Sequence, residues 1–278
     1  MALYITSLNS GSNGNCYYIG NDQEAILIDA GISCRETEKR MKQLGLSMQK
    51  VKAIFISHEH IDHIRAIPVL AEKYNLTVHI TKPTLQHAGF TLKSNLVKSF
   101  IAYEPVLVGG LAITAFPKFH DAIDPHSFII SYKGVTVGVF TDIGKSCERL
   151  VKHFIQCHAV FLEANYDESL LENGRYPLYL KNRIRGGNGH LSNIQALELF
   201  RNHKPKFMSH VLLSHLSKDN NRPELVRDLF LEHANAVEII IASRYEPTPI
   251  YYITKKKTEP YKNKPHHSIL LKQLSLFP

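Results

Sequence analysis

The sequence H-E-H-I-D-H at 58–63 brings three imidazoles and a carboxylate together directly after the apolar run at 53–56. On an extended loop, side chains of equal parity share a side, so His58, His60 and Asp62 would converge while His63 turns toward a second ion. Imidazole and carboxylate ligands suit Zn, Mn or Fe, and no thiolate of a structural zinc site is present. The alternative is a histidine-rich surface loop. We interpret the pattern as a metal-dependent hydrolase, because more candidate ligands follow downstream.

Three further candidate ligands stand where apolar segments end, namely His120, Asp142 and His215. Two ions about 3.5–4 Å apart need a carboxylate that bridges them, and Asp142 is our candidate for that role. His210 is the weaker alternative to His215, because it has the opposite strand parity. The assignment gives one ion His58, His60 and His120, and the other ion Asp62, His63 and His215.

The elements that must position these residues alternate strands with helices, which is typical of sheets packed between helices. Ser33-x-x-Glu36 is a candidate capping box for a helix that ends at Gly45, and Lys133-Gly134 is a candidate hairpin turn. Further helices are predicted at 64–74, 192–203 and 223–233. Strands are predicted at 17–19, 25–28, 77–80, 111–116, 128–132, 135–140, 207–213, 236–241 and 250–253.

Size and composition favour one large α/β domain, since 278 residues with 44% hydrophobic content can bury a large core. We see no basic leader and no apolar run near the ~18 residues of a membrane span, which predicts a soluble, cytoplasmic protein without a membrane partner. The four cysteines lack C-x-x-C spacing, so we expect free thiols in a reducing compartment.

The net charge of +8 is concentrated at the end of the chain, where six lysines and one glutamate lie from Lys255 onward. We therefore predict a hydrolase domain at 1–254 and a basic C-terminal tail at 255–278. Such a tail would follow a polyanion electrostatically, and the alternative is that it only aids solubility.

The residues from Asp29 to His215 resemble the successive motifs of the metallo-β-lactamase superfamily, over about 1–254. The sequences at 7–16, 190–193 and 215–217 are similar to its YycJ/WalJ branch, whose members resemble nucleases. The resemblance implies an α/β (α+β) fold, a four-layer αββα sandwich with two divalent metal ions at one edge. It also implies that Asp29 holds the metal loop by hydrogen bonds.

Glu163 and His190 resemble the pair that phosphodiesterase branches use to protonate the leaving group. A carboxylate that orients an imidazole and keeps it protonated suits a general acid. Asp62 would orient the attacking water. The alternatives are an ordinary strand-end acid and a loop histidine. The 73 positions from Asp142 to His215 leave no room for the large inserted cap of some related nucleases.

Two segments are candidates for substrate binding. The stretch 175–185 carries Arg183 and Arg185 among tyrosines, and guanidinium groups clamp phosphates while aromatic rings stack on bases. The glycine-rich sequence around Ser12 and Asn13 offers amides and hydroxyls to a phosphate. The alternatives are a mobile basic loop without a partner and a tight turn.

The C-terminal sequence Q-L-S-L-F at 273–277 is similar to the pentapeptide by which bacterial DNA enzymes bind the replication sliding clamp. Gln273 would form a hydrogen bond at the rim of a groove, while Leu274, Leu276 and Phe277 fill apolar pockets. Alternatively, this apolar end folds back on the enzyme. Clamp binding would favour DNA over RNA as the substrate.

Together these features predict a dinuclear DNA exonuclease in replication-linked repair, with 5′ to 3′ polarity implied only by the resemblance. Three alternatives stay open at this point: an RNA-processing nuclease, a small-molecule esterase, lactonase or thioesterase of the same fold, and a non-catalytic adaptor bound to the clamp.

Overall fold

The computed structural model describes residues 2–255, which build two seven-stranded sheets. The first sheet contains β1 (Leu3–Asn9), β2 (Cys16–Gly20), β3 (Ala25–Ile28), β4 (Val51–Phe55), β5 (Thr77–His79), β6 (Val97–Lys98) and β14 (Tyr251–Ile253). The second contains β7 (Pro105–Val108), β8 (Leu111–Pro117), β9 (His126–Tyr132), β10 (Val135–Phe140), β11 (Ala159–Glu163), β12 (His210–Ser214) and β13 (Glu238–Ile241). Their spatial orders are β14-β1-β2-β3-β4-β5-β6 and β13-β12-β11-β10-β9-β8-β7.

The helices fall into two groups along the chain. The first group is α1 (Cys34–Gln43), α2 (Ile61–Ile64), α3 (Ile67–Tyr74) and α4 (Lys82–His87). The second group is α5 (Glu148–Phe154), α6 (Glu168–Asn173), α7 (Leu178–Arg185), α8 (Asn193–His203) and α9 (Pro223–Leu231).

Three apolar clusters fix the layer order. One cluster lies between the sheets and includes Phe55, Phe128 and Phe161. The other two join each sheet to its own helices, with Leu70 in one and Phe200 in the other. Every residue of β11 and β12 is buried, as expected for strands covered on both faces. The predicted αββα sandwich is therefore confirmed.

The parallel strands bring polar residues to one edge of the sandwich. Strands β10, β11, β12 and β13 are mutually parallel, so their carboxyl ends meet at the same edge. Asp142 follows β10, Glu163 ends β11, and His215 follows β12. In the first sheet the parallel strands β3 and β4 lead into Asp29 and His58 in the same way.

The prediction of one helix over 64–74 is wrong, because two short helices occupy this region. Pro68 lies in the first turn of α3, where its missing N–H costs no helical hydrogen bond, and the Ala66 amide donates to Ala30 O instead of continuing α2. The assumption of an extended loop at 58–63 also fails beyond His60, which is the N-cap residue of α2. Asp62 and His63 are thus placed by helical geometry rather than by strand parity.

Strand boundaries differ from prediction chiefly at β12, which spans His210–Ser214 rather than 207–213. The Met208 amide donates to Pro205 O in a turn, so the strand begins later. The predicted Lys133-Gly134 hairpin turn is confirmed, and both residues have positive φ, 46° and 78°, as a type I′ turn requires. Strands β1, β6 and β7 and helices α4 to α7 were not predicted from the sequence.

The helix caps follow the sequence signals in two cases. Ser192 and Gln195 form a reciprocal capping box at the start of α8. Ser33 accepts a hydrogen bond from the Glu36 amide at the start of α1, which is half of the predicted box. Within residues 2–255, no helix has the length and apolar character needed to cross a bilayer.

Candidate metal centre

The structure brings the predicted ligands together in two overlapping groups at the sandwich edge. The Nε2 atom of His58 lies 3.0 Å from His60 Nδ1, which in turn lies 3.4 Å from His120 Nε2. On the other side, Asp62 Oδ2 lies 3.5 Å from His63 Nε2 and 3.7 Å from His215 Nε2. Two ligands about 2.1 Å from one tetrahedral ion lie about 3.4 Å apart, so these spacings fit metal coordination.

Asp142 lies between the two groups. Its Oδ2 atom is 3.3 Å from His63 Nε2, while Oδ1 is 3.6 Å from His215 Nε2 and 3.8 Å from His120 Nε2. Within residues 2–255, Asp142 Oδ2 and His215 Nε2 are buried atoms without a hydrogen-bond partner. Such atoms are costly to bury, and a cation between them would remove that cost.

The orientation of four imidazoles is the strongest sign of a metal centre. In each ring Nδ1 contacts an oxygen of the protein, which leaves Nε2 to face the cluster. The oxygens are Ser57 Oγ for His58 (2.8 Å), Asp29 Oδ2 for His63 (2.7 Å), Gly189 O for His120 (3.1 Å) and Glu163 Oε1 for His215 (3.1 Å). Metal-binding histidines almost always have such a partner, because it fixes the tautomer and the ring orientation.

The charges in the cluster favour a cation. Burial alone would lower the pKa of His63, but the carboxylates of Asp142 and Asp29 raise it well above its usual value. Burial likewise opposes protonation of His215, yet Asp142 and two hydrogen-bonded carboxylates raise its pKa to about 10. In contrast, burial lowers the pKa of His120 to about 3, which leaves a neutral ligand. The carboxylate side of the cluster thus stabilises positive charge.

Backbone conformation at the site departs from the usual regions. Asp29, Asp142 and His215 have φ values of 60°, 55° and 57°, in the left-handed region that non-glycine residues rarely adopt. Asp29 and His215 stand immediately after a strand, and Asp142 is the second residue after β10. Strained residues of this kind persist where the surrounding structure fixes them, and they concentrate at functional sites.

Asp29 contacts the metal loop as the resemblance implied. Its Oδ1 accepts from the Ser57 amide at 2.8 Å, and its Oδ2 accepts from Ser57 Oγ at 2.8 Å and from His63 Nδ1 at 2.7 Å. The carboxylate is fully buried, so these hydrogen bonds satisfy a charge that water does not reach.

Glu163 and His190 meet, with His190 Nδ1 donating to Glu163 Oε1 at 2.7 Å. Glu163 Oε2 accepts from the amides of Ile143 and Leu191, at 2.7 and 3.2 Å. Burial by itself would raise the pKa of Glu163, but the His190 imidazole and its hydrogen bond lower it to about 2. The ionised carboxylate therefore orients both His190 and His215, a double role that the sequence did not indicate.

Asp62 is partly exposed, and its position depends on the glycine-rich loop. Asn15 Nδ2 donates to Asp62 Oδ2 at 3.2 Å, and the Asn15 amide donates to Asp62 O at 2.7 Å. A Cβ atom on Gly31 would lie 1.6 Å from Asp62 O, so only glycine permits this approach.

The four predicted substrate-binding residues lie in two places. Ser12 and Asn13 are exposed on the loop beside Asn15. Arg183 and Arg185 are on α7, where Arg183 pairs with Asp121 next to His120, and Arg185 pairs with Glu172 at 2.8 Å. These residues form a helix rather than a loop, and both arginines have an acidic partner.

Several polar residues at the site were not predicted from the sequence. Ser57 links Asp29 to His58, and Asn165 Nδ2 donates to His215 O at 2.8 Å. Lys118 is buried, donates to Thr141 O at 2.7 Å, and has a pKa lowered by burial. Lys118 stands two positions after the predicted strand 111–116, close to a strand end as the candidate ligands are, and this position is the signal that was available.

His210, the weaker alternative to His215, lies at the opposite end of β12 from the cluster. Its Nδ1 contacts Ser209 Oγ at 2.8 Å, and its Nε2 lies 3.3 Å from Glu238 Oε2. The geometry therefore favours His215.

The fold and the donor set define a metal-dependent hydrolase. Residues 10–177 match the model of the metallo-beta-lactamase superfamily, and the chain belongs to this superfamily. The family and the His/Asp clusters together indicate divalent metal ions.

Relatives place the chain in one branch of the superfamily. It is 33% identical over 230 residues to Exodeoxyribonuclease YycJ of Bacillus anthracis, a match that covers 82% of this chain and 87% of that protein. It is 30% identical over 223 residues to Exodeoxyribonuclease WalJ of Streptococcus pneumoniae, with 78% and 83% covered. The predicted YycJ/WalJ-like branch is confirmed.

A solved structure shares the architecture. The metallo-beta-lactamase fold protein YhfI from Bacillus subtilis superposes with a TM-score of 0.69 over 91% of this chain and 100% of that chain. The two sequences are 15% identical, so this similarity concerns the fold alone.

Proposed function

We propose that this metal-dependent hydrolase is a DNA exonuclease that uses two divalent cations. Two relatives named exodeoxyribonuclease, each at least 30% identical over more than three quarters of the chain, support phosphodiester hydrolysis and DNA as substrate. The observation that carries the proposal is the set of four Nε2 atoms around Asp142, beside the oriented His190. A 5′ to 3′ polarity, a role in replication-linked repair and a cytoplasmic location are predictions from the sequence.

The residues present fit two cations. One cation would be held by His58, His60 and His120, and the other by Asp62, His63 and His215. Asp142 would contribute to both sites. The imidazole and carboxylate set suits Zn or Mn, and also Fe. Divalent cations, when bound, lower the pKa of water and neutralise charge on phosphate oxygens.

The protein's own groups would perform the proton transfers and the positioning. Asp62, held by Asn15, would orient the attacking water. His190 Nε2 would donate a proton to the departing sugar oxygen, while Glu163 holds the ring through Nδ1. About one fifth of the His190 side chain is exposed, so a substrate can reach it without the ring losing its carboxylate partner.

Substrate contacts are proposed on both sides of the cluster. The ion pairs of Arg183 and Arg185 are exposed, and exposed pairs contribute little to stability, so phosphates can replace the carboxylates at small cost. Ser12 and Asn13 would contact a phosphate from the glycine-rich loop. The proposed clamp-binding motif, Gln273, Leu274, Leu276 and Phe277, lies outside the described residues, as does nearly all of the proposed tail at 255–278.

The decisive experiment is Asp142→Asn, because this change removes the bridging charge while it keeps the side-chain volume. Purified protein with Mn or Zn is assayed on end-labelled double-stranded DNA, single-stranded DNA and RNA, and bound metal is measured by mass spectrometry. We expect hydrolysis to fall by at least about 100-fold and the metal content to drop.

The matched control is Asp228→Asn on the exposed face of α9, which should leave both readings at the wild-type level. Full activity of the wild type in metal-stripped buffer would refute the proposed chemistry. Cleavage of RNA with DNA left intact would assign the enzyme to RNA processing.

A further inference from the structure

The end of β13 reaches the same edge of the sandwich as the ends of β10, β11 and β12. Those three strands deliver Asp142, Glu163 and His215 to the site. The chain after β13 delivers Arg244, a half-buried arginine that was not among the predicted site residues. We propose that Arg244, together with Arg65, binds the DNA phosphates next to the scissile linkage, an inference that rests on the proposed function.

The loop at 10–15 connects these arginines to the metal centre. At one end, Ser10 Oγ accepts a hydrogen bond from the His215 amide at 2.7 Å. At the other end, Asn15 Nδ2 lies 3.2 Å from Asp62 Oδ2 and 3.1 Å from His63 Nε2. A phosphate bound on this loop would therefore lie close to the proposed reaction centre.

Both arginines contact this loop. Arg65 Nη1 lies 3.4 Å from Asn13 O, and Asn13 Nδ2 donates to Arg244 O at 3.1 Å. A Cβ atom on Gly11, which has φ of +133°, would lie 2.8 Å from Arg244 Nη2, so the guanidinium rests against a position that only glycine fits. Arg244 Nη2 also donates to Leu216 O, directly after His215.

The charges distinguish these arginines from those of α7. Among residues 2–255, no carboxylate oxygen lies within 4 Å of Arg65 or Arg244. Arg183 and Arg185, in contrast, each pair with an acid. A guanidinium has five N–H donors, and among residues 2–255 that of Arg244 makes one hydrogen bond, to a carbonyl, so donors in the fork geometry that matches a phosphate are left over.

The backbone of the loop adds donors of the same kind. Ser12 and Asn13 are exposed between the two arginines, and no intramolecular hydrogen bond from either amide occurs in the described part of the chain. Two cationic forks around exposed amides form a surface for a polyanion, and a nucleic-acid strand supplies its phosphates at regular spacing.

Binding measurements on the full chain test this proposal apart from catalysis. Arg65→Gln and Arg244→Gln are compared with the wild type by fluorescence anisotropy of a labelled single-stranded DNA oligonucleotide, in chelator, at several salt concentrations. We expect each change to raise Kd about tenfold and to reduce the slope of log K against log salt by about 0.7.

Arg201→Gln is the matched control. Arg201 is exposed in the last turn of α8, nine residues and therefore about 14 Å from Ser192, the cap residue near the site. Its replacement should leave Kd and the salt slope unchanged. Arg244→Lys keeps the charge and should restore most of the binding. If Arg244→Gln lowers Tm, the Arg65→Gln measurement decides the proposal, because Arg65 is exposed and its replacement is expected to leave Tm unchanged.

Wild-type values of Kd and slope for either glutamine variant would overturn the proposal. A separate assay with bis(4-nitrophenyl) phosphate, which has a single phosphate, tests the reaction centre of the wild type. If the wild type hydrolyses neither this ester nor DNA, the result counts against the proposed function. The proposal that Arg65 and Arg244 bind phosphates is still decided by the effect of their replacement on DNA binding.

Discussion

Hydrogen bonds at the Nδ1 atoms determine what the imidazoles of this site can do. His58, His63, His120 and His215 direct Nε2 inward because their other nitrogen is occupied. His190 has the same arrangement, with Nδ1 on Glu163, but it stands at the partly exposed border of the cluster. A ring that is fixed through one nitrogen and open at the other can transfer a proton to a substrate.

The role of His190 predicts a separation of metal binding from turnover. His190→Ala should keep the metal content of the wild type while kcat on DNA falls by about 10²–10⁴-fold, the usual contribution of a general acid. Single-turnover rates on end-labelled DNA and metal analysis of the same samples check this. His87→Ala, at an exposed position of α4, is the control, and an unchanged rate for His190→Ala would remove the proposed role.

Among the secondary-structure elements, α7 differs from its neighbours because none of its residues is buried. Its contacts to the body include the exposed ion pairs of Arg183 and Arg185, and its sequence leads within five residues to His190. Leu178 and Tyr179 are 64% and 75% exposed. Apolar and aromatic side chains left in water beside a catalytic site are suited to contact a substrate.

Stacking on α7 predicts a loss of DNA binding without a loss of stability. Tyr179→Ala should raise the KM for single-stranded DNA about tenfold, since stacking of a base on an aromatic ring contributes about 1–3 kcal/mol. Tm should shift by less than about 2 °C, because the ring is exposed. Tyr252→Ala on β14 is the control; an equal effect on KM would show that stacking at α7 is not involved.

At the scale of the whole molecule, the distribution of charge separates the hydrolase from its tail. Five of the eight excess positive charges lie from Lys255 onward, while the described site contains the buried carboxylates Asp29, Asp142 and Glu163. The domain boundary at 254 stays a prediction. The last strand of the described chain is β14, which pairs with β1 up to Ile253.

The tail predicts a binding function that does not depend on catalysis. Deletion of 272–278 should leave hydrolysis of a short oligonucleotide intact and abolish affinity for a purified bacterial sliding clamp, measured by surface plasmon resonance. A variant with the same seven residues in scrambled order controls for composition. Equal affinity before and after truncation would contradict clamp binding by this motif.

The sequence by itself determined the class of chemistry and the general position of its residues. Closely spaced ligands such as His58 and His60 are visible because their spacing is local, and Asp142 and His215 are visible because each stands two positions after a predicted apolar strand. Periodicity and strand ends are properties of short segments, so sheets packed between helices and ligands at strand ends could be predicted from them, while the four-layer sandwich with the metals at one edge came from the family resemblance.

Tertiary structure decided what depends on contacts between distant segments. It decided which nitrogen of each imidazole faces the cluster, that Arg183 is paired with Asp121, and that Arg244 reaches a loop more than 200 positions earlier in the chain. The break between α2 and α3 also depends on Ala30, which accepts the amide that a continuous helix would have used. These features are set by packing and by hydrogen bonds across the fold, which no local pattern records.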